Sequence, residues 1–146
     1  RDPLTKAWDS IHALESGEMP LESHWIAAIT ALRSVGHVLA KEDSRISPEA
    51  KKIIEKHWND WKQPGTWFSS FIEPMRNNLL KEWGGIPNIY TEAYGEFGEL
   101  IVVRIELQDD EDDGLYCLKE SANWLDTELS EMESEIYAAD DDAACS

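Results

Sequence analysis

Asp109-Asp110-Glu111-Asp112-Asp113-Gly114, followed by Glu120, is the stretch whose residue types and spacing come nearest to a metal site. A calcium loop has acidic or amide ligands at its first, third and fifth positions, Gly at the sixth and Glu at the twelfth. Counted from Asp109, those positions are Asp109, Glu111, Asp113, Gly114 and Glu120. Three features depart from the pattern. Glu111 is a methylene longer than Asp, Tyr116 stands where a small aliphatic is usual, and the preceding segment reads as a strand. Acidic residues ahead of a helix are also favoured by the helix dipole alone. The leading expectation is therefore no cofactor, with calcium as the minor one.

His12, His24, His37 and His57 are scattered, and no pair has the His-x-x-x-His spacing of a helical metal site. Each reads as a half-buried structural histidine. Arg33 and His37 are one helical turn apart and can share a face. Cys117 and Cys145 are too few for a disulfide scaffold and read as free thiols in a reducing, cytoplasmic compartment. Of seven tryptophans, Trp25, Trp58, Trp61, Trp67 and Trp83 fall mostly on apolar stripes and read as core. Trp8 and Trp124 fit those stripes less well and could mark an interface. The sequence holds no glycine-rich phosphate loop and no nucleophile elbow.

The elements that must position these residues are mostly helices. Leu4, Ala7, Ile11 and Leu14 recur at helical spacing, and Gly17 stops that segment. Pro20 opens a longer helix with a stripe of Trp25, Ile29, Leu32, Gly36 and Leu39, widened by Ile26, Ala28 and Val35. A glycine inside a helix costs about 1 kcal/mol against alanine, so Gly36 predicts a close crossing. Ser47-Pro48 predicts an N-cap followed by proline in the first turn. The third stripe is Ala50, Ile53, Ile54, His57, Trp58 and Trp61. After Pro64-Gly65, a fourth runs from Trp67 to Trp83, and Pro74 inside it predicts a kink or break.

Two strand-like runs follow, Ile86 to Tyr94 and Leu100 to Leu107, with Gly95-Glu96-Phe97-Gly98 between them as a hairpin turn. A last helix is expected from about Leu115 to Ala139, with a seam of Leu115, Leu118, Ala122, Leu125, Leu129, Met132, Ile136 and Ala139. Asp140-Asp141-Asp142 opposes the helix dipole there and predicts fraying. The fold class is mainly α: a bundle of four to five helices with a small β-hairpin inserted before the last one. A single domain over 1–146 is expected, divided into a helical bundle (1–84), a hairpin (85–108) and an acidic turn with the C-terminal helix (109–146).

The formal net charge is −17 and hydrophobic residues make up 42%, enough for a core. Residues 1–84 hold 11 Lys/Arg against 12 Asp/Glu; residues 85–146 hold 2 against 18. The bundle is nearly neutral, and the rest carries almost all the acidity. Such a surface repels phosphate backbones and attracts basic partners or cations. No run is long and apolar enough to span a bilayer, and the first residues lack a signal-peptide pattern. The start at Arg1 rather than Met suggests a trimmed chain.

Phe71-Ile72-Glu73-Pro74-Met75-Arg76-Asn77-Asn78-Leu79-Leu80-Lys81-Glu82-Trp83, with Leu32-Arg33-Ser34-Val35-Gly36-His37-Val38-Leu39 and the Trp58-x-x-Trp61 helix before it, resembles the HEPN superfamily. More closely, it resembles bacterial HEPN-like proteins of unassigned function, over roughly residues 20–84. The resemblance implies a helical bundle that often dimerises. Its active members cleave RNA with an Arg, a polar residue and a following His. Arg76 and Asn77 match the start of that motif, while Lys81, Glu82 and Trp83 stand where the His belongs. Lys81 could hold a phosphate but is a poor proton shuttle. The bland alternative is that Arg76 pairs with a nearby Glu while Asn77 caps or crosses helices.

Three functional expectations follow. The first is a non-catalytic HEPN-like interaction module that pairs with itself or another protein, its last helix docking on its own bundle or across a homodimer. The second is an RNase using Arg76 and Asn77 with Lys81 or a displaced histidine such as His37. The third is an acidic binder of a basic partner. Nucleic acid is an improbable ligand for so acidic a chain.

Overall fold

A computed structural model describes residues 2–41, 47–81, 85–107 and 112–145. Helix α1 (Asp2–Glu15) buries Leu4, Ala7, Ile11 and Leu14, the stripe read from their spacing. Gly17, at φ +74°, turns the chain out of it, a conformation that any β-carbon would strain. After a cis Met19–Pro20 bond, α2 (Leu21–Lys41) returns against α1. It buries Leu21, Trp25, Ala28, Ile29, Leu32 and Val35. Ile26 does not widen that buried stripe: it is exposed, on the flank of the helix away from the contact.

Ser47 caps α3 (Pro48–Trp61): its hydroxyl accepts the Ala50 N–H at 3.0 Å, and Pro48 occupies the first turn. This helix buries Ala50, Ile54, His57 and Trp61. The predicted break at Pro74 takes a specific form. A π-helical turn, Phe68–Ile72, widens the helix just before it, and α4 (Glu73–Leu79) continues beyond. Pro74 has no N–H to offer the carbonyl one turn back. The bonding shifts by one residue, so that the Glu73 N–H reaches the Phe68 carbonyl. The helix ends at Leu79, before the Trp83 expected; Trp83 lies outside the described residues.

Strands β1 (Asn88–Tyr94) and β2 (Leu100–Glu106) form an antiparallel hairpin with Asn88 opposite Glu106 and Tyr94 opposite Leu100. Alternation puts Ile101, Val103 and Ile105 on one face. Val103 and Ile105 are buried, at 2% and 1% exposure. Gly114 allows the docking, since a β-carbon there would lie 2.5 Å from Ile105 Cγ2.

Helix α5 (Gly114–Cys145) runs back along α1 and α3. Leu115, Leu118, Ala122, Leu125, Leu129 and Met132 are all buried in the one core cluster that α1, α2, α3, the π-turn and β2 also enter. The seam is thus covered within the chain, with Ile136 half-buried at its end. The helix extends past the expected end at Ala139, its geometry continuing through the aspartates to Cys145. Ala143 and Ala144, strong helix formers, lengthen the helix past the acidic run. Among the described residues no helix is long and apolar enough to cross a membrane.

Candidate functional site

The arginine and histidine one turn apart on α2 do share a face. Arg33 and His37 line a cleft of about 270 Å³ whose other walls come from α3, the π-turn and α4. Trp58 and Phe68 form its aromatic side, their rings 5.1 Å apart and edge to face. Gly36 lets Trp58 lie there, because a β-carbon would sit 2.0 Å from the indole Cζ3. His37 packs its ring 5.9 Å from that of Trp58. Lys62, the residue that follows α3, holds Nζ 4.8 Å above the Trp58 ring. Arg33 Nε donates to Glu73 Oε2 at 3.3 Å, both side chains being partly exposed. Ser69 donates its hydroxyl hydrogen to the Gln63 carbonyl at 2.7 Å, so it is held and not activated as a nucleophile.

The π-turn is what brings Phe68, Ser69 and Glu73 to this cleft, and only Pro74 hinted at it in the sequence. Chemically the cleft can hold a ligand between cations and aromatic rings.

Arg76, Asn77 and Lys81 are elsewhere. Arg76 is half-buried on α4, Asn77 and Lys81 are exposed, and none of the three lines the cleft that contains His37. Helix α4 packs on α2 and the π-turn. Arg76 forms no ion pair or hydrogen bond with any described residue, so the expected pairing with a nearby glutamate is absent there; Glu82 is outside the described residues. Within the helical bundle it is Arg33 that meets a nearby glutamate, Glu73. Asn77 caps with its backbone, its carbonyl accepting the Leu80 N–H at 3.2 Å.

Of the calcium candidates, Asp109 and Glu111 lie outside the described residues. Asp113 is occupied: its Oδ1 accepts the Ile105 N–H at 2.7 Å, tying the end of β2 to the start of α5. Glu120 is half-buried on α5. Among the described residues no group of three His, Cys, Asp or Glu could hold a metal ion.

His57 is the site that spacing alone missed. Its Nδ1 lies 3.2 Å from Glu128 Oε2 and its Nε2 3.1 Å from Glu135 Oε1, while Trp61 Nε1 donates to Glu128 Oε2 at 3.3 Å. The signal in the sequence was a histidine on an apolar stripe; the packing of α5 on α3 supplies the two glutamates, two turns apart. His12 differs from expectation in being exposed, its ring 5.5 Å from Trp8 and stacked on it. Trp8 and Trp124 are half-buried. Both pack on the core, Trp124 with its ring 5.4 Å from that of Trp61.

The outer face of the hairpin carries a polar chain. Tyr90 donates to Glu106 at 3.1 Å, Tyr94 donates to Glu92, and Arg104 Nε donates to Glu92 at 3.3 Å. The Tyr94 hydrogen bond, then those of Arg104 and Tyr90, hold the Glu92 carboxyl below its ordinary range against desolvation. The Glu106 hydrogen bond raises the Tyr90 phenol, and those to Tyr94 and Glu92 raise Arg104. Beyond this network the hairpin overhangs its support. Ile101, on the face of Val103 and Ile105, is 61% exposed, and Phe97 in the turn is 87% exposed.

Fold and sites together define a helical bundle whose last helix docks in cis and whose β-hairpin projects past the core. No protein-family model, curated protein or solved structure matches this chain.

Proposed function

We propose that this protein is a non-catalytic, HEPN-like interaction module that meets a protein partner through the overhanging hairpin. The carrying observation is the apolar tip: Phe97 in the turn, Leu100 on the outer face and Ile101 on the inner face are all exposed while Val103 and Ile105 anchor the base. Clustered exposed apolar side chains of this size mark interaction surfaces. The partner is basic, because residues 85–146 hold only 2 Lys/Arg against 18 Asp/Glu, and those two, Arg104 and Lys119, are engaged with Glu92 and Glu15. The separation of Arg76 from His37 favours this reading over the RNase. The buried thiol of Cys117 suits a reducing cytoplasm.

The test pairs two measurements. Purified protein is incubated with RNA; cleavage that disappears in Arg76→Ala would replace this reading with the nuclease. Cross-linked complexes are then recovered from source cells with wild type and with a Phe97→Glu/Ile101→Glu double variant. A partner held by wild type and lost by the folded double variant is expected, and equal recovery would sink the hairpin as the contact. Light scattering of the pure chain separates a second copy of itself from a different partner.

A further inference from the structure

We propose that the cleft between α2, α3 and the π-turn binds a small aromatic anion, its ring against Trp58 and Phe68 and its carboxylate or phosphate on Arg33 and Lys62. This site is distinct from the hairpin and does not depend on it.

Charge decides the sign of the ligand. The cleft holds two cations, Arg33 and Lys62, and one carboxylate, Glu73, in a chain of net charge −17. Arg33 uses only Nε on Glu73, so its two terminal nitrogens have no acceptor among the described residues. A guanidinium fixed on one side by a carboxylate presents those remaining N–H groups in a set orientation, suited to an anion's oxygens. Lys62 Nζ has no carboxylate within ion-pair distance among the described residues and lies instead over the Trp58 ring. It is exposed and flexible, and it can swing from the ring face onto an incoming anion.

Shape decides the rest. Trp58 is only half-buried although Gly36 and Phe68 fix its position. A large rigid ring held from behind by a glycine and from the side by another ring becomes a stacking platform once Lys62 swings off its face. The cleft volume of about 270 Å³ suits a single ring with its charged group. The π-turn that supplies Phe68 and Ser69 is of the kind often found at functional sites.

The experiment titrates the full chain, 15N-labelled, with phenyl phosphate, benzoate, inorganic phosphate and benzylamine. The indole N–H of Trp58, assigned from Trp58→Phe, and the Ser69 amide are followed. Either aromatic anion is expected to shift both signals, the stronger of the two identifying the head group. Inorganic phosphate is expected to bind about tenfold more weakly for lack of a ring, and Lys62→Gln and Arg33→Gln each to weaken the aromatic anion about tenfold. Absence of any shift at Trp58 with both anions up to about 10 mM overturns the proposal. So does benzylamine binding as well as the anions, or phosphate binding as well as phenyl phosphate. If Arg33→Gln disturbs the fold, Lys62→Gln at its exposed position decides, and unchanged affinity there counts against the site.

Discussion

His57 joins two helices far apart in sequence, and it does so in a buried position at 8% exposure. Glu128, its side chain 22% exposed, takes a contact from the His57 ring and a hydrogen bond from Trp61. Glu135 is nearer the surface, where water can replace what it loses. His57→Ala is expected to cost about 1–3 kcal/mol of stability by stranding Glu128, and Glu135→Gln no more than about 1 kcal/mol. Urea denaturation of both variants checks the ordering; equal losses would show that the outer contact matters as much as the inner. On the hairpin, Glu92 has its carboxyl lowered first by the Tyr94 hydroxyl. A group lowered in the folded state stabilises it above the unfolded carboxylate range, and that contribution fades as pH falls through the folded value. Protection of the β1 and β2 amides, with exchange corrected for its intrinsic pH dependence, is therefore expected to fall on the acid side in wild type, with a flatter response in Glu92→Gln. Identical profiles would remove Glu92 from the explanation.

At the scale of elements, α1 and α2 make the most extensive pairing, and two other crossings carry single residues that decide their fit. Where α2 meets α3, Gly36 and Trp58 interlock. Gly36→Ala would improve helix propensity by about 1 kcal/mol, yet its β-carbon would strike a ring that Phe68 and Trp61 keep from moving. Overpacking of this kind costs about 1–3 kcal/mol, so the net change is expected to be zero to moderately destabilising. A thermal melt of Gly36→Ala above wild type would mean that Trp58 has room to retreat. Where α5 meets the rest, Leu125 is fully buried within the chain. Leu125→Ala should then lower stability by about 2–5 kcal/mol and leave the molecular mass in solution unchanged. A change of oligomeric state with stability intact would show that the seam serves an interface between copies.

The molecule as a whole joins a near-neutral bundle to an acidic remainder. Along α5, Asp126, Glu131, Glu133, Glu135, Asp140 and Asp141 are all exposed, and like charges this close repel. Raising sodium chloride from about 0.05 M to about 0.5 M shortens the screening length from over 10 Å to under 5 Å. The melting temperature is expected to rise as that repulsion is screened. A fall would mean that ion pairs such as Lys119–Glu15 and Arg33–Glu73 outweigh it. The same field disfavours RNA anywhere near the last helix, and it leaves the cationic cleft as the local exception.

Much of the fold was legible because local periodicity states which face of a helix is apolar. Leu4, Ala7, Ile11 and Leu14 needed nothing else, and neither did the Ser47-Pro48 cap, the hairpin or the seam of α5 through Met132. Local chemistry also marked Pro74 as a break and Gly36 as a close contact. Spacing along one element cannot say what faces it from another. That Trp58, Lys62 and Glu73 meet Arg33, that His57 meets Glu128 and Glu135, and that α5 closes its own bundle were decided by tertiary packing. The physical reason is range. Helix and strand patterns arise from neighbours within a turn or two, whereas these sites join residues some 25 to 80 positions apart, which only the crossing of helices brings together.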